Sequence, residues 1–524
     1  MKFINKYNRI IKALILALIP ITTCLFRCLV AKRSFGDVWF LGSAWNDEVF
    51  YWQLTNDVIH YGIPQGHFGF NESSARMLTF SAWSPLLLIF WVIYGLIFGW
   101  TFLSPIICNI IVLSMALFIF AILVRPSFLQ TGLLAVLLFM FKPLSRYLMS
   151  CMPEITVMSL LIVFLGITVA FYKEYKRKYL IASLILIFVM TLMRPYLVMF
   201  SLFTIVITFI NRKGRPAPIV TAVVSVILFF LENYYFGVEY LDSYLNTEWI
   251  DFFIRKGGRN GLAHLKDMLL EYGGEIFGRV MPGIISGKDG ADAYYGAFVF
   301  LAVIFLILSV MSVIRKQSSV VLFLPMFLMY VGMFFAIIYL YKVAEGSRHV
   351  ILFVVAGALL LTVTLERIES FLTYAAVFIL FSWVFVYHGN NAYYYGVCFK
   401  DSTVQLVEDS SEMFSTSLEL KDGVSWDNTV IWVLVDYIDE TGYAEPMWRR
   451  FYGLPAGYAL NICRAEFVCE GLDNLSSRYL VTVPQGSVDK LLSQKGYSVL
   501  AERDDFILYD LRDKENNGAI DTDG

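Results

Sequence analysis

At 524 residues, with 58% hydrophobic and 16% charged, the chain is too apolar for a soluble protein, in which about a quarter of residues carry charge. A mean hydropathy of +0.65 sustained over this length makes the bilayer the solvent for most of it. The net charge of −2 is a cancellation: residues 401–524 hold 23 of the 43 acidic but 10 of the 41 basic residues, and no basic run is long enough to bind nucleic acid.

In chain order, Lys2, Lys6, Arg9 and Lys12 precede an apolar run from Ile10 to Ala31. The run lacks an A-x-A-like cleavage site, so it reads as a retained first helix with its basic start in the cytoplasm. A polar loop over 32–84 follows and is expected outside. Apolar segments come next at 85–101, 103–124, 128–141, 155–172, 179–193, 196–210 and 218–236. A second outer loop, 237–293, precedes further segments at 294–314, 319–340, 348–364 and 370–387. Basic clusters at 173–178, 211–215 and 315–316 mark cytoplasmic turns. Four full spans between the first loop and Lys173 would put that cluster outside, so one of them does not cross. The shortest, 128–141, is the expected partial helix.

The expected fold is therefore a mostly α polytopic membrane domain, 1–387, with about 11–13 membrane segments. Within the second loop, Leu262, Leu265 and Leu269 give an amphipathic stretch that either lies on the membrane or packs on its neighbours. After Tyr387 the hydropathy collapses. Strands are predicted at 429–437, 478–483 and 506–511, with a helix from Ser487 to Gly496, giving a small extracytoplasmic α/β domain over 388–514. The polar end, 515–524, is expected to be a disordered tail. Cys463 and Cys469 are close in sequence and are read either as a bridge or as two free thiols.

The most informative segment is Trp45-Asn-Asp47-Glu48-Val-Phe-Tyr51, directly after the first helix. Tyr61-Gly62 follows, and Ser84-Pro85-Leu86 opens the next apolar segment. By residue type alone, Asp47-Glu48 is a solvated acidic pair on a loop. The arrangement as a whole resembles the GT-C glycosyltransferases, which include the protein O-mannosyltransferases and the arabinose-lipid A transferases. Ser347-Arg348-His349 resembles the Arg-Tyr that opens a late helix in that family, with His349 in the place of Tyr. Thr191-Leu-Met-Arg194-Pro195 is similar to a mid-chain basic position of the family, and Gly496-Tyr497 with Phe506–Tyr509 to the ends of several outer domains.

The resemblance implies transfer of a sugar from a polyprenyl-phosphate donor to an acceptor hydroxyl on a glycan, lipid or protein, at the outer face of what is expected to be a bacterial plasma membrane. Asp47 matches the catalytic position and is assigned as general base, since the acceptor oxygen must lose a proton in the transition state. Glu48 would orient Asp47, bind sugar hydroxyls or help hold a metal. Arg348, with Arg194 and Lys342 behind it, would stabilise the departing phosphate. For Arg348 the structural alternative is a helix-end anchor, and for Arg194 an interface residue snorkelling to headgroups. Glu72, Arg76 and His349 are candidates for the acceptor or sugar site, although Glu72 and Arg76 also have the i, i+4 spacing of a helical ion pair. No cofactor is assigned, and a divalent metal is compatible, with His60, His67 and Glu72 as its weakly spaced ligands. Asn71-Glu-Ser and Asn474-Leu-Ser match glycosylation sequons, a triplet that often arises by chance. The rival functions are a transporter, for which Lys142, Glu154 and Glu232 would speak, and a non-catalytic cell-envelope assembly protein.

Overall fold

The computed structural model describes residues 2–39, 47–63, 71–72, 84–211, 216–236, 248–286, 293–341, 343–364, 398–399, 402–434, 447–503 and 506–514. The chain is a polytopic helical membrane protein with a small sheet domain, and it divides into two compact units. Met1–Ser43, Pro105–Leu231 and Tyr244–Cys398 make the first; Ala44–Ser104, Glu232–Ser243 and Phe399–Gly524 make the second. The division does not simply follow the chain at residue 387, because the segment after the first helix groups with the C-terminal domain.

Six helices among the described residues are long and apolar enough to cross a bilayer: Tyr7–Ala31, Ser104–Val124, Glu154–Glu174, Pro216–Phe236, Tyr295–Ile314 and Val320–Tyr339. The first is interrupted at Leu18, where Pro20 cannot donate a backbone hydrogen bond. Shorter or broken passages lie between and after them: Phe128–Met140 with Lys142–Leu148, Arg177–Met193, Pro195–Asn211 and Val343–Thr364. The expected segment at 370–387 lies outside the described residues.

Contacts within the first unit fix which helix ends share a face. Arg9 and Lys12 donate to the carbonyls of Ile122 and Pro126. Arg125 pairs with Glu174 at 3.3 Å, and Lys173 donates to the Val124 carbonyl. The Tyr172 hydroxyl donates to Ser318 at 2.7 Å, two residues past the Arg315-Lys316 cluster. The basic ends therefore lie together. At the other ends, the Asn109 amide donates to the carbonyls of Tyr147, Leu148 and Ser150, and Arg27 donates to Ser145.

This pairing corrects the expected parity. The 7–31 helix leaves the basic face and the 104–124 helix returns to it, so the chain between them begins and ends on the opposite face. Between them the chain makes an even number of crossings, and Pro85–Phe98 is the short apolar helix of that stretch. At 1.5 Å per residue it is roughly 21 Å long, short of the ~30 Å hydrocarbon core. The 128–140 and 142–148 helices, kinked at Phe141 ahead of Pro143, together carry the chain from the basic face to Glu154.

The second outer loop is largely helical, with helices Glu248–Lys256 and Gly258–Ser286. Met268 and Ile276 are buried, and the Tyr339 hydroxyl donates to the Leu265 carbonyl. Leu265 and Leu269 are half-buried, whereas Leu262 is 63% exposed.

In the second unit the sheet contains β1 (Thr429–Leu434), β2 (Ala459–Arg464), β3 (Tyr479–Thr482), β4 (Tyr497–Arg503) and β5 (Phe506–Lys514), in the order β2-β1-β3-β5-β4. β1 is parallel to β2 and β3, while β5 is antiparallel to β3 and β4. The largely apolar run Thr-Val-Ile-Trp-Val-Leu forms β1 because both sheet faces are covered. Ile431 and Val433 face Val468, Val488 and Leu492, from helices Ala465–Gly471 and Ser487–Gln494. Trp432 packs on Phe451, which stacks on Phe414 of helix Ser402–Ser417. Cys463 and Cys469 are free thiols, so the bridge reading is set aside; Cys463 is buried inside β2.

Candidate functional site

Asp47 and Glu48 do not lie on a loop: they open a helix, Asp47–Tyr61, inside the segment read as a polar loop. Carboxylates are favoured there by the positive end of the helix dipole. Asp47 is half-buried and Glu48 fully buried. Tyr51 follows Asp47 by one turn, so the Asp-Glu-x-x-Tyr spacing puts Asp47 and Tyr51 on one helix face.

A second row on this helix, Gln53, Asp57 and Tyr61, clamps it to residues 455–458. The Gln53 amide donates to the carbonyls of Pro455 and Tyr458 at 2.8 and 3.2 Å. Asp57 accepts from the Gly457 amide at 2.9 Å. Gly457 has φ +97°, and a Cβ there would come within 2.8 Å of the Tyr61 hydroxyl oxygen, so the clamp needs glycine. Trp52 stacks on Trp100 and Phe102, with ring centroids 5.0 and 4.7 Å away. The acidic pair therefore sits on a helix fixed along both flanks, which holds a reacting group more firmly than a loop does.

Glu72 lies in a turn at φ 51°, not in a helix, and its carboxylate accepts from the amides of Ser476 and Ser477 at 2.7 and 3.0 Å. Beside it, the Asn71 amide donates to the Ile462 carbonyl, and the Asn71 side chain accepts from the Arg464 amide at 2.9 Å. Asn71 thus covers the free edge of β2, a common way to protect an edge strand, while Glu72 caps the turn that leads into β3. These contacts replace the helical ion-pair reading for Glu72, and Arg76 lies outside the described residues. With 8% exposure and an engaged side chain, Asn71 is not available as a glycan acceptor. Of the weakly spaced metal ligands, His60 is exposed and bonds the Asn56 carbonyl, Glu72 is engaged as above, and His67 lies outside the described residues. No group of three metal-ligating side chains occurs among the described residues.

The first unit holds a buried polar cluster. Arg194 is 1% exposed and donates to Glu154 at 2.8 Å, an ion pair with both side chains almost wholly enclosed. Arg194 also contacts His349 Nδ1 at 3.1 Å, and the Tyr196 hydroxyl lies 3.2 Å from the same nitrogen. An arginine only donates, so Nδ1 accepts and the ring proton sits on Nε2. The His349 ring lies between Tyr196 and Tyr341, with centroids 5.2 and 4.8 Å away.

Local sequence explains the assembly. Pro195 excludes Arg194 from the α region, so the 177–193 helix stops and Arg194 takes an extended conformation, φ −150° and ψ 117°. Glu154 follows Pro153 as the first residue of its helix. Both stand at helix ends opposite the basic face, as does His349 in the first turns of Val343–Thr364.

Arg194 therefore does not snorkel to headgroups: it is an interior group already matched by a carboxylate. His349, 0% exposed, is likewise an interior residue. Arg348 belongs to the 343–364 helix by its backbone, while its side chain and the whole of Lys342 lie outside the described residues. Of the three residues that favoured transport, Glu154 pairs with Arg194, Glu232 accepts from the Ser84 hydroxyl at 2.8 Å, and the Lys142 side chain lies outside the described residues. Glu154, Tyr196 and Tyr341 were missed as partners of Arg194 and His349. The available signal was a charged residue beside proline at the end of an apolar segment, found twice, in Pro153-Glu154 and Arg194-Pro195.

No family model matches the sequence, and no curated protein matches it. Among solved structures the chain is similar to ArnT from Cupriavidus metallidurans bound to undecaprenyl phosphate, with TM-score 0.43, 10% identity and coverage of 94% of this chain and 97% of that one. It is similar also to ArnT from the same organism in the apo state, with TM-score 0.42, 9% identity and the same coverage of each chain.

Proposed function

We propose that this chain is a membrane glycosyltransferase that moves a sugar from a polyprenyl-phosphate donor to an acceptor hydroxyl at the outer face of a bacterial plasma membrane. The observation that carries this reading is the rigid placement of Asp47. The half-buried carboxylate opens a clamped helix, the next helix of four or more turns after the first membrane helix, with Tyr51 on its face.

In the proposed step the acceptor oxygen attacks the anomeric carbon, the bond from that carbon to the phosphate oxygen breaks, and polyprenyl phosphate leaves with the electron pair. Asp47 takes the acceptor proton. Glu48 is wholly buried and suits a positioning role beside Asp47 better than direct contact with a sugar. Arg348 and Lys342 are the cations proposed to face the phosphate, which gains charge as it leaves. Glu72 is assigned to scaffolding of the turn that leads into β3. The basic face, carrying Arg9, Lys12, Arg125 and Lys173, is taken as cytoplasmic by the positive-inside rule, which puts Glu154, Arg194 and His349 at the outer end of the bundle.

The test is transfer by purified full-length protein in proteoliposomes, with the donor chosen by mass spectrometry of lipid-linked glycans from cells with and without the protein. Asp47→Asn should lose a factor of about 10²–10⁴ in turnover while inserting normally. Wild-type turnover by Asp47→Asn would remove the assignment.

A further inference from the structure

Burying an ion pair is an inefficient way to stabilise a bundle. Each charge costs several kcal/mol to desolvate, and apolar replacements of similar volume are often as stable. Ionisable groups enclosed within membrane segments usually serve function. The Glu154–Arg194 pair, with side chains 4% and 2% exposed, therefore calls for a role beyond stability.

Its geometry indicates one. The cluster joins four chain segments on the face opposite the basic residues: the start of 154–174, the proline break at 194–196, the end of 320–339 at Tyr341, and the first turns of 343–364. It holds the last of these by the His349 ring, which is bonded through Nδ1 and flanked by two tyrosine rings. A ring held on three sides fixes the rotation of its helix about the axis. Sliding along the axis is blocked one to two turns further on. There the Tyr330 hydroxyl donates to the Phe353 carbonyl at 2.9 Å, and a Cβ on Gly357 would lie 2.0 Å from that hydroxyl oxygen. Arg348 is the neighbour of His349 on this helix. With rotation and height both set, the backbone position of Arg348 is set as well.

We propose that Glu154, Arg194, Tyr196 and His349 form a positioning relay that fixes the first turns of the 343–364 helix, and with them Arg348, for the phosphate of a lipid-linked ligand. In this relay Arg194 is not itself a phosphate ligand. Glu154 neutralises and orients it, and it in turn orients the histidine. The inference rests on the glycosyltransferase reading for the identity of that ligand.

The experiment measures binding of undecaprenyl phosphate alone to purified full-length protein, by ligand-induced thermal stabilisation, so no turnover is needed. Wild type should be stabilised and Arg348→Ala should not. His349→Leu should weaken binding on the order of tenfold to a hundredfold, the cost of misplacing a binding group by about an ångström. His349→Asn keeps an acceptor oxygen near the position of Nδ1 and should recover most of the affinity. Glu154→Gln should weaken binding as well, without touching the ligand. If His349→Leu melts lower but binds undecaprenyl phosphate as tightly as wild type, the relay is only structural and the proposal is overturned. If wild type itself is not stabilised, the donor reading fails, which is a different result from failure of the relay alone.

Discussion

Removing Arg194 should be far more damaging than removing Arg194 and Glu154 together. The two side chains meet at 2.8 Å and are almost entirely enclosed, so neither charge has water to fall back on. Arg194→Met leaves a buried carboxylate, and Glu154→Leu leaves a buried guanidinium. Each should cost about 3–5 kcal/mol, the usual penalty for one uncompensated buried charge. The double variant removes both charges and keeps most of the volume. Its remaining loss is the donor to His349 Nδ1, about 1–2 kcal/mol for a neutral acceptor that still has the Tyr196 hydroxyl nearby. The double-mutant cycle should therefore return a coupling of about 4 kcal/mol or more. Unfolding in mixed micelles, followed for wild type, both single variants and the double, supplies the four corners. If the two single losses simply add within about 0.5 kcal/mol, the residues are independent and the ion pair does not govern this site.

Other measurements reach the rest of the chain. Single cysteines at Ser34 and Thr101 should both label from the face opposite Arg125→Cys and Lys176→Cys, because the chain from 31 to 104 begins and ends on one face; labelling of Thr101→Cys together with Arg125→Cys would refute that pairing. Glu72→Ala removes two charge-assisted bonds to the amides of Ser476 and Ser477, and should lower stability of the C-terminal domain by about 2 kcal/mol. Limited proteolysis near 476 reports that loss, and an unchanged digestion rate would show this turn cap to be dispensable. Burial, followed by the hydrogen bond to Asp489, pushes the Tyr509 hydroxyl up to about 12. A folded-state value above the unfolded ~10 gives stability that is complete below pH ~10 and is lost as pH rises through about 12. Tyr509→Phe should remove that alkaline component from the pH dependence of domain unfolding, and identical profiles would refute it.

The membrane class and the run of helices could be read from the sequence because hydropathy acts locally: twenty apolar residues need no distant partner to declare their solvent. The strand Thr429–Leu434 was legible for a similar reason, as a short β-branched run next to turn residues. The helix at Asp47–Tyr61 was not. It mixes Asp, Glu, Gln, Thr and Asn with aromatics and shows little amphipathic periodicity, because its burial is on several sides and its polar row is satisfied by backbone groups 400 residues away.

The acidic pair and the basic positions were likewise visible as residue types, but their states were not. Whether Arg194 meets a lipid or a carboxylate depends on Glu154, 40 residues earlier, and whether Glu72 is an acceptor-site acid or a turn cap depends on Ser476 and Ser477. Membrane parity failed for the same reason, since basic clusters vote on orientation but only contacts such as Arg125 with Glu174 decide which helix ends lie together. Composition and periodicity determined the solvent of each segment. Pairing between segments distant in the chain, decided by which buried charge or amide finds a partner, was left to the tertiary structure.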